Sequence, residues 1–326
     1  MTKIFVHCFL DESQKKYLED NFSINVHNAN EKILSPEELI EHASGFEGII
    51  SQGNIISNEY IKKNCNILKV ISNVSVGYDN VDVEFATKCN VAILNTPNIL
   101  DDAVADLAMG LLIASARKIC SGNNYVKAGK WKKNSWPLFL GEDLNEQILG
   151  IIGMGNIGKK VATRASAFNL KILYNNRNKL NHKDETSFNA SYSSLRHLLN
   201  VSKFVLLLCP LTDQTRHLMK KETFALMRED AFIINLARGK IIKEDDLVEA
   251  LENKVIAGAG LDVFEFEPKV SKQLMSMENT VLMPHAGSAT YTTRRSMVEL
   301  ACKNITNFLL HNVKDNLVNK TLLQYE

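Results

Sequence analysis

Residues 150–158 read GIIGMGNIG, and Gly153, Gly155 and Gly158 have the spacing GxGxxG. An apolar, strand-like run precedes the triplet, and a helix-like segment follows it. In such a unit the first glycine permits a tight turn, the second lets the backbone approach a pyrophosphate, and the third lets the helix pack on the strand. The helix N-terminus adds amide donors for phosphates. The stretch therefore predicts a dinucleotide site, with a purely structural glycine turn as the alternative. The candidate contacts are Gly153, Met154, Gly155, Asn156, Ile157 and Gly158.

The end of the next strand bears on the choice of dinucleotide. NAD-binding units usually carry an acidic residue about 20 positions after the fingerprint, where it holds the ribose hydroxyls. Here the strand KILYN ends at Asn175 and is followed by Asn176 and Arg177. Asparagine does not repel a 2′-phosphate, and arginine can pair with one through a charge-assisted hydrogen bond. The sequence favours NADP(H), and NAD(H) remains possible.

Strand-like and helix-like segments alternate along most of the 326 residues. The strands are continuous apolar runs, which is typical of parallel sheets covered on both faces. The length suggests two domains. We expect an α/β protein in which a nucleotide domain at residues 101–289 is inserted into a second domain made of residues 1–100 and 290–326. We also expect an aromatic, basic loop at residues 123–144.

The composition excludes several classes of partner. The formal charge is +1, so no global field attracts nucleic acid or a membrane surface. No apolar stretch approaches the roughly 18 residues that a membrane span needs. The six cysteines are scattered and never have CxxC spacing, so we predict no metal site. These features predict a cytoplasmic protein with reduced thiols.

Three polar residues follow strand-like runs and form a candidate catalytic set: Arg238 in NLARG, Glu267 in VFEFEP and His285 in MPHAG. Ligands of open parallel sheets bind at the carboxyl ends of strands. Reduction of a 2-oxo acid needs a cation for the carboxylate, a proton donor for the carbonyl oxygen and a hydride. Arginine, histidine and a supporting glutamate fit these roles. The alternative is a solvated arginine and an ordinary surface histidine. Gly239 is expected to let the chain turn away from the site.

Several segments together resemble the D-isomer-specific 2-hydroxyacid dehydrogenases. They are ISNVSVGYDNVD (71–82), GMGNIG (153–158), NLARGKIIKEDDLVEAL (235–251), AGAGLDVFEFEP (257–268) and MPHAGSAT (283–290). The likeness covers roughly residues 68–318. Within the family, the chain most resembles the glyoxylate/hydroxypyruvate reductases, which include 2-ketogluconate reductases.

The resemblance implies the fold, the substrate and a role for each matching position. It implies two doubly wound parallel-sheet domains, a Rossmann nucleotide domain inserted in a flavodoxin-like substrate-binding domain, and a homodimer in which residues 131–144 reach the partner. The substrate would be a small 2-oxo acid, reduced to a D-2-hydroxy acid. Arg238 would bind the substrate, His285 would be the acid/base and Glu267 its partner. The further contacts would be Val76 and Gly77 for the substrate carboxylate, Asp262 for the nicotinamide carboxamide, and Pro210, Ala237 and Gly287 for the cofactor.

Two other interpretations remain open. The first is an NAD-linked relative of the same fold that acts on phosphoglycerate, lactate or phosphite. The second is a non-catalytic, dinucleotide-sensing transcriptional corepressor, although nothing in the sequence indicates an added peptide groove or a disordered tail.

Overall fold

The computed structural model describes residues 1–321 and divides into two compact units. Unit 1 contains Met1–Leu100 and the chain from Ala289, and unit 2 is Asp101–Ser288. The last five residues of the predicted second domain, 322–326, lie outside the described residues. No helix within residues 1–321 is both long and apolar enough to cross a membrane.

Unit 1 is a five-stranded parallel sheet in the order β2-β1-β3-β4-β5, with helices connecting the strands. Its strands are β1 (Lys3–His7), β2 (Ser23–His27), β3 (Gly48–Ser51), β4 (Val70–Asn73) and β5 (Ala92–Leu94). Its helices are α1 (Glu12–Glu19), α2 (Pro36–His42), α3 (Asn58–Asn64), α4 (Val83–Lys88) and α13 (Tyr291–His311). Capping boxes at Asp11 and Ser35 begin α1 and α2 by satisfying amides of the first helical turn.

Unit 2 is a seven-stranded parallel sheet in the order β12-β11-β10-β9-β6-β7-β8. Its strands are β6 (Ile148–Ile152), β7 (Lys171–Asn175), β8 (Ala190–Tyr192), β9 (Phe204–Leu207), β10 (Phe232–Asn235), β11 (Gly258–Leu261) and β12 (Thr280–Leu282). Its helices are α5 (Asp101–Ala116), α6 (Ile119–Lys127), α7 (Asn156–Ser166), α8 (His182–Ser187), α9 (Leu195–Val201), α10 (Lys221–Phe224), α11 (Glu244–Glu252) and α12 (Lys272–Ser276). The α/β class with parallel sheets is confirmed.

The core of unit 2 explains why its central strands were readable in the sequence. Every residue of β9 and β10 is buried, which is the environment of a parallel sheet covered on both faces. Phe204 and Phe232 stack across this pair with ring centroids 5.8 Å apart. The strand order changes direction between β6 and β9, and this reversal locates the site described below.

The predicted loop at 123–144 is partly wrong, because α6 covers Ile119–Lys127. The helix contains Gly122, Asn123 and Asn124, which have low helix propensity, and none of its residues is buried. The chain after it is irregular and leaves large apolar side chains exposed: Trp131 at 56%, Trp136 at 94% and Leu140 at 63%.

Candidate active site

The predicted site residues of unit 2 follow the carboxyl ends of its strands. Gly153 follows β6, Pro210 follows β9, Arg238 follows β10, Asp262 follows β11 and His285 follows β12. Because all these strands are parallel, their carboxyl ends lie along one edge of the sheet. Ligands of open α/β sheets bind at this edge, where the strand order reverses. The fold therefore brings the glycine loop and the candidate catalytic residues to the same side of unit 2.

His285 and Glu267 form a hydrogen-bonded pair, with Nδ1 of the ring 2.8 Å from Oε2 of the carboxylate. The second carboxylate oxygen, Oε1, accepts a hydrogen bond from the N–H of Phe264 at 2.9 Å. Because the carboxylate accepts from Nδ1, the ring nitrogen that remains for a reacting molecule is Nε2. The His285 side chain is 53% exposed, so a small molecule can reach it from solvent.

The charges around this pair favour a protonated histidine. The hydrogen bond to Glu267 raises the pKa of His285, although burial and the positive charge of Arg238 oppose that rise. Burial alone would raise the pKa of Glu267, but the hydrogen bonds from His285 and Phe264 bring it below its ordinary value. Arg238 contributes to both shifts, so it lies within electrostatic range of the pair. A histidine whose pKa is raised can act as a general acid near neutral pH.

The turn that carries His285 is shaped by Asp262. The backbone of His285 has φ of 51°, a conformation that residues other than glycine rarely adopt. Asp262 is buried, and its two carboxylate oxygens accept from the amides of Ala286 and Gly287 at 2.6 and 2.9 Å. The N–H of His285 also donates to the Asp262 carbonyl at 2.8 Å. Asp262 therefore fixes the turn that presents His285, and its contact with a nicotinamide stays a prediction.

Arg238 follows β10 in an extended conformation and is supported by a residue that the sequence interpretation missed. Asn235, which is fully buried, accepts from the N–H of Ala237 at 3.0 Å and donates to the Arg238 carbonyl at 3.1 Å. The guanidinium also donates to the Ala237 carbonyl at 2.7 Å. Asn235 is a polar residue at the end of an otherwise apolar strand, and this position could have indicated that its side chain holds the neighbouring backbone.

The structure shows a reason for glycine at position 239 that was not predicted. A Cβ at this position would lie 1.8 Å from the carbonyl oxygen of Phe264 and 2.5 Å from the amide nitrogen of Glu265. Glycine is needed because the 264–265 backbone passes directly over it. The turn after Arg238 and the loop before Glu267 are thus packed against each other.

The glycine loop has the local geometry of a dinucleotide site. Gly153 has φ of 102°, and a Cβ there would lie 2.4 Å from the backbone nitrogen of Cys209. A Cβ on Gly158 would lie 2.9 Å from the carbonyl oxygen of Gly153, so the start of α7 packs closely against the turn. In contrast, nothing within the described residues lies within 4 Å of a Cβ on Gly155. The missing side chain at Gly155 leaves an open space beside the start of α7.

Three of the loop amides donate within the protein itself, and the first is that of Gly153, which donates to the Asn175 carbonyl at 3.0 Å. The N–H of Met154 donates to Oδ1 of Asn176 at 2.7 Å, and Asn176 Nδ2 donates back to the Met154 carbonyl at 3.2 Å. The N–H of Gly155 donates to the Gly153 carbonyl. The first turn of α7 begins directly after these residues, and the first N–H groups of a helix have no acceptor within the helix itself. Met154 therefore contributes to loop shape through its backbone and packs its side chain in the core.

The three residues at the end of β7 and just after it differ in their contacts: the two asparagines are hydrogen-bonded within the protein, and the arginine is exposed. Asn175 donates from Nδ2 to the Ser193 carbonyl at 2.8 Å, and Asn176 holds the glycine loop as described. Arg177 is exposed, and within residues 1–321 no hydrogen bond or ion pair engages its guanidinium. The three residues were predicted together as cofactor contacts, but of the three only Arg177 has its side chain disengaged from the rest of the described chain.

The remaining predicted contacts occupy well-defined backbone positions. In unit 2, the Pro210 carbonyl accepts from the Thr215 hydroxyl at 2.6 Å, Ala237 is buried, and a Cβ on Gly287 would lie 3.2 Å from Oδ2 of Asp262. In unit 1, the Val76 carbonyl accepts from Nδ2 of Asn95 at 2.9 Å. This hydrogen bond fixes the Val76–Gly77 peptide, whose N–H must then point away from Asn95. Their ligand contacts stay predictions. Within residues 1–321, no group of three or more metal-ligating side chains could hold a metal ion.

The fold and the site are those of an oxidoreductase that uses a nicotinamide dinucleotide, and comparison with known proteins identifies the family. Residues 109–287 match the family model described as D-isomer specific 2-hydroxyacid dehydrogenase, NAD binding domain. The chain is 40% identical to a glyoxylate reductase of Pyrococcus horikoshii, with 99% of this chain and 97% of that protein covered. It is 39% identical to a glyoxylate/hydroxypyruvate reductase B of Enterobacter sp., with 97% of each covered. The protein belongs to the D-isomer specific 2-hydroxyacid dehydrogenase family.

A solved relative supports both the fold and the class of cofactor. It is the NADPH-dependent glyoxylate/hydroxypyruvate reductase of Sinorhizobium meliloti, whose structure is in complex with NADP and malonate. That structure superposes with a TM-score of 0.86 at 28% identity and covers 98% of this chain and 97% of its own.

Proposed function

We propose that the protein reduces glyoxylate and hydroxypyruvate, and secondarily 2-ketogluconate, to D-2-hydroxy acids with NADPH. The observation that carries the proposal is the 2.8 Å pair of His285 and Glu267 on the sheet edge that also bears Arg238 and the glycine loop. The names of the relatives support the choice of substrates, since they are glyoxylate and glyoxylate/hydroxypyruvate reductases.

The glycine loop fits a dinucleotide, because Gly155 leaves open space beside the first-turn amides of α7. Those amides and the positive end of the helix dipole would hold the pyrophosphate. We assign the nicotinamide carboxamide to Asp262, and further contacts with the cofactor to Pro210, Ala237 and Gly287, as the family resemblance predicts. When bound, the reduced nicotinamide supplies the hydride for the carbonyl carbon.

The residues of the chain supply the remaining requirements of the reaction. Arg238 binds the substrate carboxylate through its planar guanidinium and so orients the carbonyl. His285 donates a proton from Nε2 to the carbonyl oxygen as negative charge develops there. Glu267 holds the ring through Nδ1 and stabilises the protonated form before the transfer. The amides of Val76 and Gly77 are proposed as further donors to the substrate carboxylate.

The preference for NADPH rests on Arg177. It is exposed and disengaged at the end of β7, and no carboxylate stands at the equivalent of the usual ribose-binding position. An arginine there can pair with the 2′-phosphate that distinguishes NADPH from NADH.

We also propose a homodimer located in the cytoplasm. Trp131, Trp136 and Leu140 are exposed on the irregular segment after α6, and large apolar side chains of this kind are commonly covered by a partner. Sedimentation of the intact protein tests this part, since a monomer at micromolar concentration would contradict it.

The role of Arg238 is tested by Arg238→Ala, with Arg196→Ala on the surface of α9 as the matched control. Loss of a charged partner of this kind costs about 2–5 kcal/mol, so kcat/KM for glyoxylate should fall by roughly 30-fold to several thousand-fold. NADPH affinity, measured by fluorescence titration, should be unchanged. Wild-type kcat/KM in Arg238→Ala would refute the assignment.

A further inference from the structure

The segment from Phe264 to Glu267 carries two glutamates, and each holds a different histidine. Glu267 pairs with His285, as described above. Glu265, two residues earlier, lies with Oε1 2.6 Å from Nε2 of His217. The Glu265 side chain is 10% exposed, compared with 35% for Glu267. The second pair is therefore the more buried one, and no step of the proposed reaction uses it.

Glu265 is also joined to the start of α11. Its Oε2 accepts from the N–H of Glu244 at 2.8 Å, and its own N–H donates to Oε2 of Glu244 at 3.1 Å. Glu244 Oε1 accepts from the N–H of Ser271 at 3.1 Å. Both carboxylates are thus engaged through both oxygens, beside a helix N-terminus that favours negative charge. We call His217, Glu244 and Glu265 the Glu265 cluster.

His217 connects this cluster to the other half of the site. Its N–H donates to the carbonyl of Lys240 at 2.9 Å, in the 3-10 helix that follows Arg238. Its ring meanwhile contacts Glu265, in the loop that precedes Glu267. The same two segments are packed directly against each other where Gly239 meets Phe264. A single residue therefore touches both the turn that carries Arg238 and the loop that carries Glu267.

We propose that His217 and Glu265 are positioning residues that set the geometry of the acid/base pair. The inference rests on the proposed function. The Glu265 cluster fixes the backbone at Phe264, whose N–H at 2.9 Å orients the Glu267 carboxylate. Glu267 in turn orients His285. Displacement of a reacting group by about 1 Å can reduce a rate on the order of 100-fold, so support of this kind has a measurable effect.

The test is a double-mutant cycle between His217→Leu and Glu267→Gln, with His197→Leu on α9 as the matched control. If His217 acts through Glu267, His217→Leu should lower kcat by about tenfold in the wild-type background, with little change in KM. In the Glu267→Gln background it should change kcat by less than about twofold. The activity of His217→Leu should also begin to decline at lower pH than that of the wild type, because a less well oriented Glu267 would raise the pKa of His285 less. His217→Gln, whose amide nitrogen can still reach Glu265, should restore most of the activity.

Several outcomes would overturn the proposal. One is an equal loss of kcat in both backgrounds, and another is an unshifted pH profile in His217→Leu. If His217→Leu does not fold, as judged by its melting temperature and NADPH affinity, Glu265→Gln takes its place in the same cycle with the same expectations. Wild-type activity in Glu267→Gln alone would instead refute the proposed proton transfer, and this result is distinguishable because it does not involve the Glu265 cluster.

Discussion

The replacement Glu267→Gln tests the proton-transfer arrangement most sharply. Glutamine has the same shape but carries no charge, and it has one oxygen where glutamate has two. If that oxygen keeps the hydrogen bond from Phe264, the amide nitrogen faces Nδ1 of His285 and can only donate to it, so the protonated ring loses its acceptor. The turn at Asp262 that presents His285 is left intact.

The expected loss follows from the strength and the exposure of the pair. A hydrogen bond to a charged group contributes about 1.5–3 kcal/mol. Because His285 is 53% and Glu267 35% exposed, solvent screening places the effect near the lower end of that range. A loss of about 1.4 kcal/mol in the transition state corresponds to about tenfold in rate. We therefore expect kcat for glyoxylate reduction to fall by roughly tenfold.

The pKa of His285 determines the direction in which the pH profile of the variant should shift. The pKa of His285 is raised, chiefly by the hydrogen bond to Glu267. Reduction needs the protonated ring, so wild-type activity should fall as pH rises through this raised pKa. In Glu267→Gln the raising influence is lost while burial and Arg238 still lower the pKa. The decline should therefore begin at lower pH in the variant.

The assay is the pH profile of kcat, followed by the loss of reduced-nicotinamide absorbance in wild type and variant. A tenfold loss that is uniform across pH would show that Glu267 does not control the protonation of His285. A profile identical to that of the wild type would contradict any role of Glu267 in the proton transfer.

Three further predictions concern cofactor choice, packing and stability. Arg177→Ser should raise the KM for NADPH by about tenfold and leave that for NADH unchanged; an equal effect on both contradicts the cofactor assignment. Gly239→Ala should lower the free energy of unfolding by about 1–3 kcal/mol or more, because its Cβ would clash with the backbone of Phe264. The control Gly110→Ala, in open space on α5, should raise the free energy of unfolding by about 1 kcal/mol. Equal melting temperatures of the two variants would show the contact with Phe264 to be absent. Burial lowers the pKa of His7, so the folded protein favours the neutral ring. The contribution of His7 to the free energy of unfolding should be fully present above the ordinary histidine pKa and should decline as pH falls below it. His7→Gln should remove this decline, and His42→Gln, at an exposed position, should retain it.

The parts of the fold that could be predicted are those in which the signal is local. The strands β9 and β10 are fully buried runs, β6 is buried apart from its first residue, and the glycine triplet lies between a strand and a helix in the sequence itself. The candidate catalytic residues were identifiable because each follows a strand. In a parallel sheet, this position alone brings them to one edge.

The parts that were missed depend on contacts between distant segments. The need for glycine at 239 is set by backbone 25 positions away, at Phe264. His217 and Glu265 are separated by 48 positions, and nothing near either residue indicates the pairing. The hydrogen bond from the N–H of Met154 to the side chain of Asn176 likewise depends on how β6 and β7 align. Helix α6 was missed for another reason, since its Gly122, Asn123 and Asn124 have low helix propensity and favour a loop interpretation.

The most direct test of the proposed reductase activity is the consumption of NADPH and NADH, measured side by side with glyoxylate and with hydroxypyruvate as substrates. We expect turnover with both acids that is faster with NADPH. Faster turnover with NADH would keep the roles of Arg238, Glu267 and His285 and overturn the assignment of Arg177. Absence of turnover with either cofactor, in protein that still binds the dinucleotide, would contradict the claim that this site reduces small 2-oxo acids.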